Sequence, residues 1–567
     1  MFRSGVPPHI GQSWALAPAA ARRSRTSPVG TTSRPFLCCT AEFNRDMERF
    51  SRRLAVHFVP GTMAGRESSG PLAGETPRVR QTARQRTEYG AIVRKFLRPG
   101  ISGAALAAGI AVLTVAGPVS AAQSVAGAAA AEPSAPANWS ANWPAWRGPT
   151  ANGVSTETGL PVRFDPDANG LWKTATPGEG HSSPVVWDQL VFVSAAIAGD
   201  PIPGREPPVH IRNGEVYLHG GSTAGDLHHT LLALAYDART GREVWRRTVH
   251  DGPVYDNRYR SNTYASLTAI ADGERVYFSF GNQGLFAFTL DGDPLWATDL
   301  GDFGVWGLGH GINPVLYGET LILVHDNDDG EGSRIFGVDR SSGEIAWSTE
   351  RHARKGWATP ALLPVGGMTQ LFVPGYHFLG AYDAGNGVEL WRTAPFEDSA
   401  PVHTPVHQPL GDGRLVFVST GYPGKEMRAL EVLPGVEPRV RWTYERGTGY
   451  LPSALLYQGI LFFLSDGGVI TALDPDDGSL HFQARPTNPG RYNSSPVGYE
   501  GQVLIGSLEG DLTVFRAEAE FEIVAESSLP EAIWASPAIA GGILFLRGVD
   551  HLYAFRGPGA GETTPPQ

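Results

Sequence analysis

YDARTGREVW at residues 236–245 is the stretch that decides the fold, because near copies of it recur along the chain. The copies read VDRSSGEIAW at 338–347, YDAGNGVELW at 382–391 and LDPDDGSLHF at 473–482. In each copy an apolar strand ends at an Asp, a short turn contains a Gly, and a second strand runs to an aromatic residue. The Asp side chain can cap the turn, and Gly can adopt the positive φ that ends it. The pattern therefore predicts a repeated antiparallel hairpin.

The aromatic residues that end the repeats recur at intervals of 40 to 51 residues, apart from a first interval of 73 residues. Including looser copies, they are Trp172, Trp245, Trp296, Trp347, Trp391, Trp442 and Phe482. Intervals of about 40 to 50 residues are typical of four-stranded propeller blades. We expect each indole to pack between neighbouring blades and to donate its N–H to a backbone carbonyl.

A second signature precedes each repeat. A small polar residue, usually followed by Pro, opens an apolar strand, and Pro is tolerated at the first residue of a strand. The eight openings are Ser183, Ser266, Asn313, Thr359, Thr404, Ser453, Ser495 and Ser536. The count predicts eight blades.

The two ends of the repeat region complement each other. The last repeat runs out after Phe555 without an outer strand, whereas residues 171–174 supply such a strand before the first repeat. We therefore predict an all-β, eight-bladed β-propeller of four-stranded blades, whose ring is closed by an N-terminal strand that completes the last blade. Closure removes free sheet edges. The alternative is a string of unrelated β-sandwiches.

Composition and charge exclude several classes of protein. The chain has 567 residues with 70 Gly and 45 Pro, which disfavours an all-helical fold. Residues 1–122 carry 17 Lys and Arg against 6 Asp and Glu, whereas 123–567 carry 29 against 51. Such an acidic body repels phosphate backbones and anionic headgroups, so we expect no nucleic-acid partner.

The N-terminal region has the pattern of an export signal. In residues 91–122, a basic stretch precedes the apolar run 101–116, and small residues follow up to Ala122. The run is short for a membrane span, which needs about 20 residues. We predict cleavage near Ala121 or Ala122, no transmembrane span afterwards, and a periplasmic or extracellular protein; an uncleaved anchor is the alternative.

The segments around the signal complete the predicted domain organisation. Residues 1–90 are Arg-rich without a hydrophobic period, and are read as an over-extended translation or a disordered arm. Residues 123–142 form an Ala/Pro/Ser-rich tether, 143–556 the propeller and 557–567 a disordered tail. The only two cysteines, Cys38 and Cys39, precede the signal, so the mature chain would contain no disulfide.

Several stretches resemble the pyrroloquinoline quinone (PQQ)-type β-propeller superfamily, over about 143–556. They are WPAWRGP at 143–149, GVS at 153–155, GHSSP at 180–184 and WATP at 357–360, and are similar to an exported bacterial subgroup. The superfamily includes quinoprotein alcohol dehydrogenases and the propeller subunit of the outer-membrane β-barrel assembly machinery. The resemblance therefore implies the fold but not the function.

The resemblance also indicates which groups the active site of a dehydrogenase would need. Quinoprotein dehydrogenases hold PQQ on the axis over a Trp, with Ca²⁺ as Lewis acid and an Asp as base, often under a vicinal disulfide. Here Cys38-Cys39 lies before the predicted cleavage, and no Glu/Asn/Asp set for Ca²⁺ and the base emerges. Carboxylates on the axis above a Trp would favour the quinone, whereas His, Ser and Thr there would favour a scaffold.

We therefore expect a monomeric, non-catalytic binding or scaffold module of the cell envelope. Its partner would be an envelope protein or a small ligand at the propeller face. A PQQ-binding protein or a quinoprotein dehydrogenase, with PQQ and Ca²⁺, is the alternative.

Polar and aromatic residues near the strand openings are candidate site residues. If the openings line one end of the channel, three imidazoles converge there with other side chains; the set is His181, His310, Asn313, Trp357, His403, Tyr492, Asn493 and Trp534. A metal site, a hydrogen-bonded channel lining, and a pocket for a small ligand or peptide all remain open.

Three further segments carry charge. Asp326, Asp328 and Asp329 offer hard oxygen ligands for Ca²⁺, with a solvated acidic loop as the alternative. The long excursion 201–229 contains four histidines without a fixed ligand spacing. Residues 256–260 mix charges with aromatics, which favours an ion pair between blades.

Overall fold

A computed structural model describes residues 138–558 except 329, 394–399, 421–425 and 447. The predicted signal peptide, the region upstream of it, the two cysteines and most of the predicted tail lie outside the described residues. Near the end of the predicted tether, the Trp139 ring lies edge-on to Trp187 with centroids 6.4 Å apart.

Eight four-stranded antiparallel sheets form the body, which confirms the all-β, eight-bladed propeller. From the innermost strand outward, blades 1 to 4 consist of Val185–Trp187, Leu190–Pro201, Leu227–Asp237 and Glu243–Pro253; Ile270–Ala271, Arg275–Ser279, Leu285–Thr289 and Pro294–Thr298; Val315–Tyr317, Thr320–His325, Arg334–Asp339 and Ile345–Glu350; Ala361–Val365, Met368–Gly375, Phe378–Asp383 and Glu389–Arg392. Blades 5 to 8 consist of Val406–Leu410, Gly413–Ser419, Met427–Val432 and Arg439–Tyr444; Leu455–Tyr457, Ile460–Leu464, Ile470–Leu473 and Leu480–Ala484; Val497–Tyr499, Gln502–Gly506, Asp511–Arg516 and Ile523–Ser528; Ala538–Ala540, Ile543–Arg547, His551–Arg556 and Gly170–Ala175.

Blade 8 closes the ring as predicted. Its outer strand, Gly170–Ala175, comes from the N-terminal side and pairs antiparallel with the last strand of the chain, with Trp172 opposite Ala554. The remaining elements are small. They are the 3₁₀ turns Trp139–Ala141 and Gly281–Gln283, the hairpin of His210–Arg212 with Glu215–Tyr217, and the pair Ser222–Thr223 with Arg258–Tyr259. Within the described ranges, no helix is long and apolar enough to cross a membrane.

A circle of hydrogen bonds joins the blades around the axis. We call it the polar ring, and it consists of Ser183, Thr268, Asn313, Thr359, Thr404, Ser453, Ser495 and Ser536. The backbone N–H of one ring residue donates to the side-chain oxygen of the ring residue in the next blade, at 2.7 to 3.1 Å in seven of the eight joints. At the eighth joint, between Thr359 and Thr404, the Thr404 hydroxyl has no partner.

One predicted strand opening, that of blade 2, is wrong. Its ring residue is Thr268 and not Ser266, because the innermost strand Ile270–Ala271 begins later than expected. The Ser266 hydroxyl is instead engaged locally, donating to Asn262 Oδ1 at 2.6 Å. The offset of two residues keeps the same face of the chain toward the axis.

The repeat tryptophans dock on the following blade. The indole N–H groups of Trp172, Trp245, Trp296 and Trp442 donate to carbonyls of the next blade at 2.8 to 3.1 Å, as predicted. Two differ from the prediction: Trp391 donates to the Gln370 side chain of its own blade, and the Trp347 N–H has no partner. Blades 4 and 5 thus lack both the ring bond and the indole-to-carbonyl bond between them, and pack through apolar side chains such as Leu363 and Val416.

The N-terminal segment crosses the channel. Trp143 bridges to Val186 on the innermost strand of blade 1, and the Pro144 carbonyl accepts from Ala271 N–H in blade 2. Three residues later, Arg147 donates to the Ala454 carbonyl beside the innermost strand of blade 6, at 2.6 Å. Blades 2 and 6 lie opposite each other in a ring of eight. Residues 143–155 therefore close one end of the channel.

The polar ring gives a first prediction. Replacing Ser495 with Ala leaves the buried Ser453 N–H without its acceptor, and we expect a loss of about 1–3 kcal/mol in the free energy of unfolding. The matched control is Thr404→Val, which removes a hydroxyl of the same ring that makes no bond, and should cost less. Urea unfolding of both variants measures the difference. Equal losses would contradict a stabilising role of the ring bonds.

The Gly-containing turns on which the repeat tryptophans pack give a second prediction. A Cβ added at Gly343, which has φ +74°, would lie 2.6 Å from the Trp296 ring. We expect Gly343→Ala to cost about 1–2 kcal/mol for the left-handed backbone and about 1–3 kcal/mol more for the overlap. Gly435→Ala isolates the backbone cost, because Gly435 has φ +66° and nothing within 4 Å of the added Cβ. If both variants lower the midpoint of thermal unfolding equally, the Trp296 indole does not pack on the Gly343 turn as described.

Candidate functional site

A cavity of about 570 Å³ lies on the axis at the level of the polar ring. Seven of the eight ring residues line it, Thr404 being the exception. Trp146, from the segment that closes the channel, also lines it, so the cavity is blocked on that side. The other polar and aromatic residues of the lining are His181, His219, Tyr259, Ser261, Asn262, Ser266, His310, Trp357, Tyr450, Asn493 and Trp534.

The structure brings together six of the eight residues predicted to lie at the axis. His181, His310, Asn313, Trp357, Asn493 and Trp534 line the cavity. His403 does not: it is buried, and its neighbour Val402 occupies the lining instead. Tyr492 belongs to the apolar core between blades 6 and 7, while the adjacent Asn493 reaches the cavity. Successive side chains point to opposite sides of an extended chain, which explains both cases.

His181 and Trp534 form a flat stack between blades 1 and 8. Their ring centroids are 4.4 Å apart and the planes differ by 1°. Burial lowers the pKa of His181 to about 3, helped by the charges of Arg547 and Arg258. The imidazole is therefore neutral at physiological pH, and the pair offers a rigid aromatic surface to the cavity.

The rest of the cavity lining is also uncharged. Burial lowers the pKa of His310 to about 4, and its Nε2–H donates to Asn282 Oδ1 at 3.1 Å. Among the described residues, the lining contains no Asp, Glu, Lys or Arg. Hydroxyls, amides, neutral imidazoles and indoles are the groups that a ligand would meet there.

Two buried guanidinium groups stand just behind this neutral surface. Arg547 donates to the carbonyls of Ser182 and Ser194 at 3.0 and 2.8 Å, which ties blade 8 to blade 1. Arg147 donates to the carbonyls of Asn152 and Ala454. Burial lowers the pKa of Arg547 to about 10 and that of Arg147 to about 9. Neither makes an ion pair with a described carboxylate.

The predicted acidic cluster is divided between separate partners. Asp326 is buried beside Arg351, with Oδ1 3.4 Å from Nε, and burial raises its pKa to about 6. Asp328 lies 2.7 Å from His210, and Asp329 lies outside the described residues. No group of three or more His, Cys, Asp or Glu in the described part of the chain could hold a metal ion.

His210 fastens the long excursion of blade 1 to the propeller. Its Nδ1 lies 2.7 Å from Asp328 and its Nε2 lies 3.0 Å from Asp256. Burial disfavours the charged imidazole, but hydrogen bonds to both carboxylates outweigh it and raise the pKa of His210 to about 9. The expected ion pair of segment 256–260 is present twice, since Arg258 also contacts Glu179.

Sequence reasoning missed several lining residues. His219 and Tyr259 reach the cavity because Ser222–Thr223 of the excursion pairs with Arg258–Tyr259, and no local pattern announces that pairing. Trp146 lies in the WPAWRGP stretch, whose unusual density of tryptophan was the available signal. Tyr450 had no distinguishing pattern.

Comparison with known proteins supports the architecture. A family model described as outer membrane protein assembly factor BamB matches residues 202–349 and 333–556, more than half of the chain. Quinohemoprotein alcohol dehydrogenase from Comamonas testosteroni is 14% identical, with a TM-score of 0.51, and the match covers 74% of this chain and 81% of that one. BamB from Moraxella catarrhalis is 15% identical, with a TM-score of 0.42 and coverage of 57% and 94%. At 14% identity, the similarity to the dehydrogenase shows the fold alone. No curated protein matches.

The His210 contacts predict a pH dependence. Because folding raises the pKa of His210 from about 6.5 to about 9, its stabilising contribution is complete below pH 6.5 and is lost as the pH rises through 9. The difference in thermal midpoint between the natural protein and His210→Gln should therefore shrink between pH 6.5 and 9.5. His228→Gln is the control, because it makes the same substitution at a half-buried histidine whose neighbouring carboxylate, Asp251, lies farther away, at 3.6 Å. A difference that stays constant with pH would contradict the charged state of His210.

Proposed function

Since the chain belongs to the family described as outer membrane protein assembly factor BamB, we propose that it is a non-catalytic binding module of the cell envelope. The observation that carries the proposal is the axial cavity, which combines aromatic surfaces with neutral hydrogen-bonding groups. Ligand pockets of about 300–1,000 Å³ are built in this way, from apolar walls and a few placed polar groups. Export follows from the signal-peptide pattern of residues 91–122, which lie outside the described residues.

The residues present do not fit Ca²⁺-assisted quinone chemistry. Ca²⁺ takes six to eight oxygen ligands, usually including carboxylates, and a dehydrogenase base also needs a titratable group near the substrate. The described lining offers no carboxylate, and the imidazoles of His181 and His310 are too buried to take up a proton near neutral pH. The Trp146 ring at the blocked end would suit a flat quinone, and it keeps a PQQ-binding protein as the second candidate.

A binding module can engage partners in two places. Small ligands would enter the axial cavity, while an envelope protein would contact the loops of a propeller face. The first mode is the one that the described geometry supports, because the lining residues are held by the polar ring and by blade-to-blade contacts. We propose a monomer, since the ring is closed within one chain.

Titration of the full chain with PQQ, with and without Ca²⁺, separates the two candidates. We expect no saturable, Ca²⁺-dependent quenching of tryptophan fluorescence and no dye-coupled oxidation of alcohols, because the cavity lacks ligands for the metal. Ca²⁺-dependent quenching at micromolar quinone together with turnover would overturn the non-catalytic proposal. Ser261→Phe, which narrows the cavity from its exposed wall without adding a tryptophan, is the control for location: quenching inside the cavity must weaken in this variant.

A further inference from the structure

An array of cations and aromatic rings borders the neutral cavity. We call it the rim array, and its members, in order of contact, are Trp357, Lys355, Trp306, Arg212, Tyr217, His219, Tyr259 and Arg260. One end of the array, Trp357, and two inner members, His219 and Tyr259, line the cavity. The array thus joins the cavity to the excursion of blade 1.

Each contact in the rim array is close. Lys355 Nζ lies 3.2 Å from the ring centroid of Trp306 and 5.1 Å from that of Trp357. Arg212 Cζ lies 4.6 Å from the centroid of the same Trp306 ring. Cations within about 6 Å of a ring face are attracted by its quadrupole, so the rings hold these charges in place.

The array continues to the other wall of the cavity. Arg212 also lies over Tyr217, whose ring centroid is 6.3 Å from that of His219. His219 meets Tyr259 at 5.4 Å, and Arg260 Cζ lies 5.8 Å from the Tyr259 centroid. Burial, followed by the charges of Lys355, Arg260 and Arg212, lowers the pKa of His219, which shows that the three cations act on the same spot.

Among the residues that the structure describes, these cations have no carboxylate partner of their own. Lys355, Arg212 and Arg260 make no ion pair with any described carboxylate, although the body as a whole is strongly acidic. The carboxylate that acts on Lys355, Asp328, is already bonded to His210 and accepts from the backbone N–H of Trp306. Burial, with Arg212 next, lowers the pKa of Lys355 to about 7, as for an ammonium without a counter-ion.

We propose that the axial cavity binds an acidic carbohydrate, a short sugar chain that carries carboxylate or sulfate groups. The inference rests on the proposed binding function and names its ligand class. Sugar rings would stack on the indoles and on the His181–Trp534 pair, while Asn262, Asn493 and the ring hydroxyls exchange hydrogen bonds with sugar hydroxyls. Amides and hydroxyls both donate and accept, which matches a polyol. The acidic group would meet Lys355, Arg212 and Arg260.

Isothermal titration of the full chain with trigalacturonate, a sulfated trisaccharide and maltotriose tests the proposal. We expect at least tenfold tighter binding of one acidic sugar than of maltotriose, and an affinity that falls with salt. The acidic sugar that binds more tightly identifies the source of the anion. Equal binding of acidic and neutral sugars would overturn the role of the cations but leave the binding function intact, and binding of none of them would overturn the carbohydrate class.

Variants locate the contact. Lys355→Met keeps the length of the buried side chain and Arg260→Gln alters an exposed one, and each should weaken acidic-sugar binding about tenfold without changing maltotriose binding. Arg239→Gln, in the exposed turn of blade 1, removes the same charge elsewhere and is the matched control. Equal loss of affinity in the control would overturn the placement at the rim array.

Proton uptake gives an independent readout. The charged and titratable groups around Lys355 are Arg212, Arg354, Asp328 and His219. An anion bound among them raises the pKa of Lys355, so the protein takes up protons on binding near pH 7.5. Titrations in buffers of different ionisation enthalpy measure that uptake, which should disappear in Lys355→Met. Uptake that persists in this variant would contradict the contact with Lys355. Ca²⁺-dependent PQQ binding, by contrast, tests the non-catalytic function separately.

Discussion

The hydrogen bonds of the polar ring are the constraint on which the rest of the molecule depends. A propeller must bring eight innermost strands to one axis, where their ends carry backbone N–H groups that no neighbouring strand can satisfy. Burying such a donor without a partner costs free energy comparable to a lost hydrogen bond. A Ser, Thr or Asn at each strand opening meets this need and sets the step from blade to blade. The same side chains then form the wall of the cavity, so ring closure and the cavity lining share one set of residues.

The fold was predictable because its information is local and repeated. Each Asp-turn-Gly-aromatic segment predicts the third and fourth strands of a blade, and each polar opening predicts the first strand. The one opening placed wrongly, at Ser266, lacks the following Pro, and Thr268 two residues later faces the same way. Where the usual proline was present, the prediction and the structure agree on the ring residue.

The candidate site was only partly predictable, for a different reason. Which of two adjacent side chains enters a channel depends on the local direction of an extended chain. For this reason Asn493 lines the cavity and Tyr492 does not, and Val402 lines it and His403 does not. Residues brought in by the excursion depend on a pairing between Ser222–Thr223 and Arg258–Tyr259 that no periodicity encodes. The rim array depends on the same pairing. Its chemistry is therefore visible only after the excursion has been placed against blades 2 and 3.

The segment that blocks the axial channel determines how a pocket of this kind comes into being. Residues 143–155 are synthesised before any blade, yet they contact blades 1, 2, 6 and 7, which are made over the following 350 or so residues. The segment that closes the channel is thus synthesised first. The ring of blades around it is complete only when the last hairpin pairs with the strand Gly170–Ala175. A chain interrupted anywhere before that point holds no pocket. The presence of the cavity consequently reports that synthesis and closure of the ring are complete.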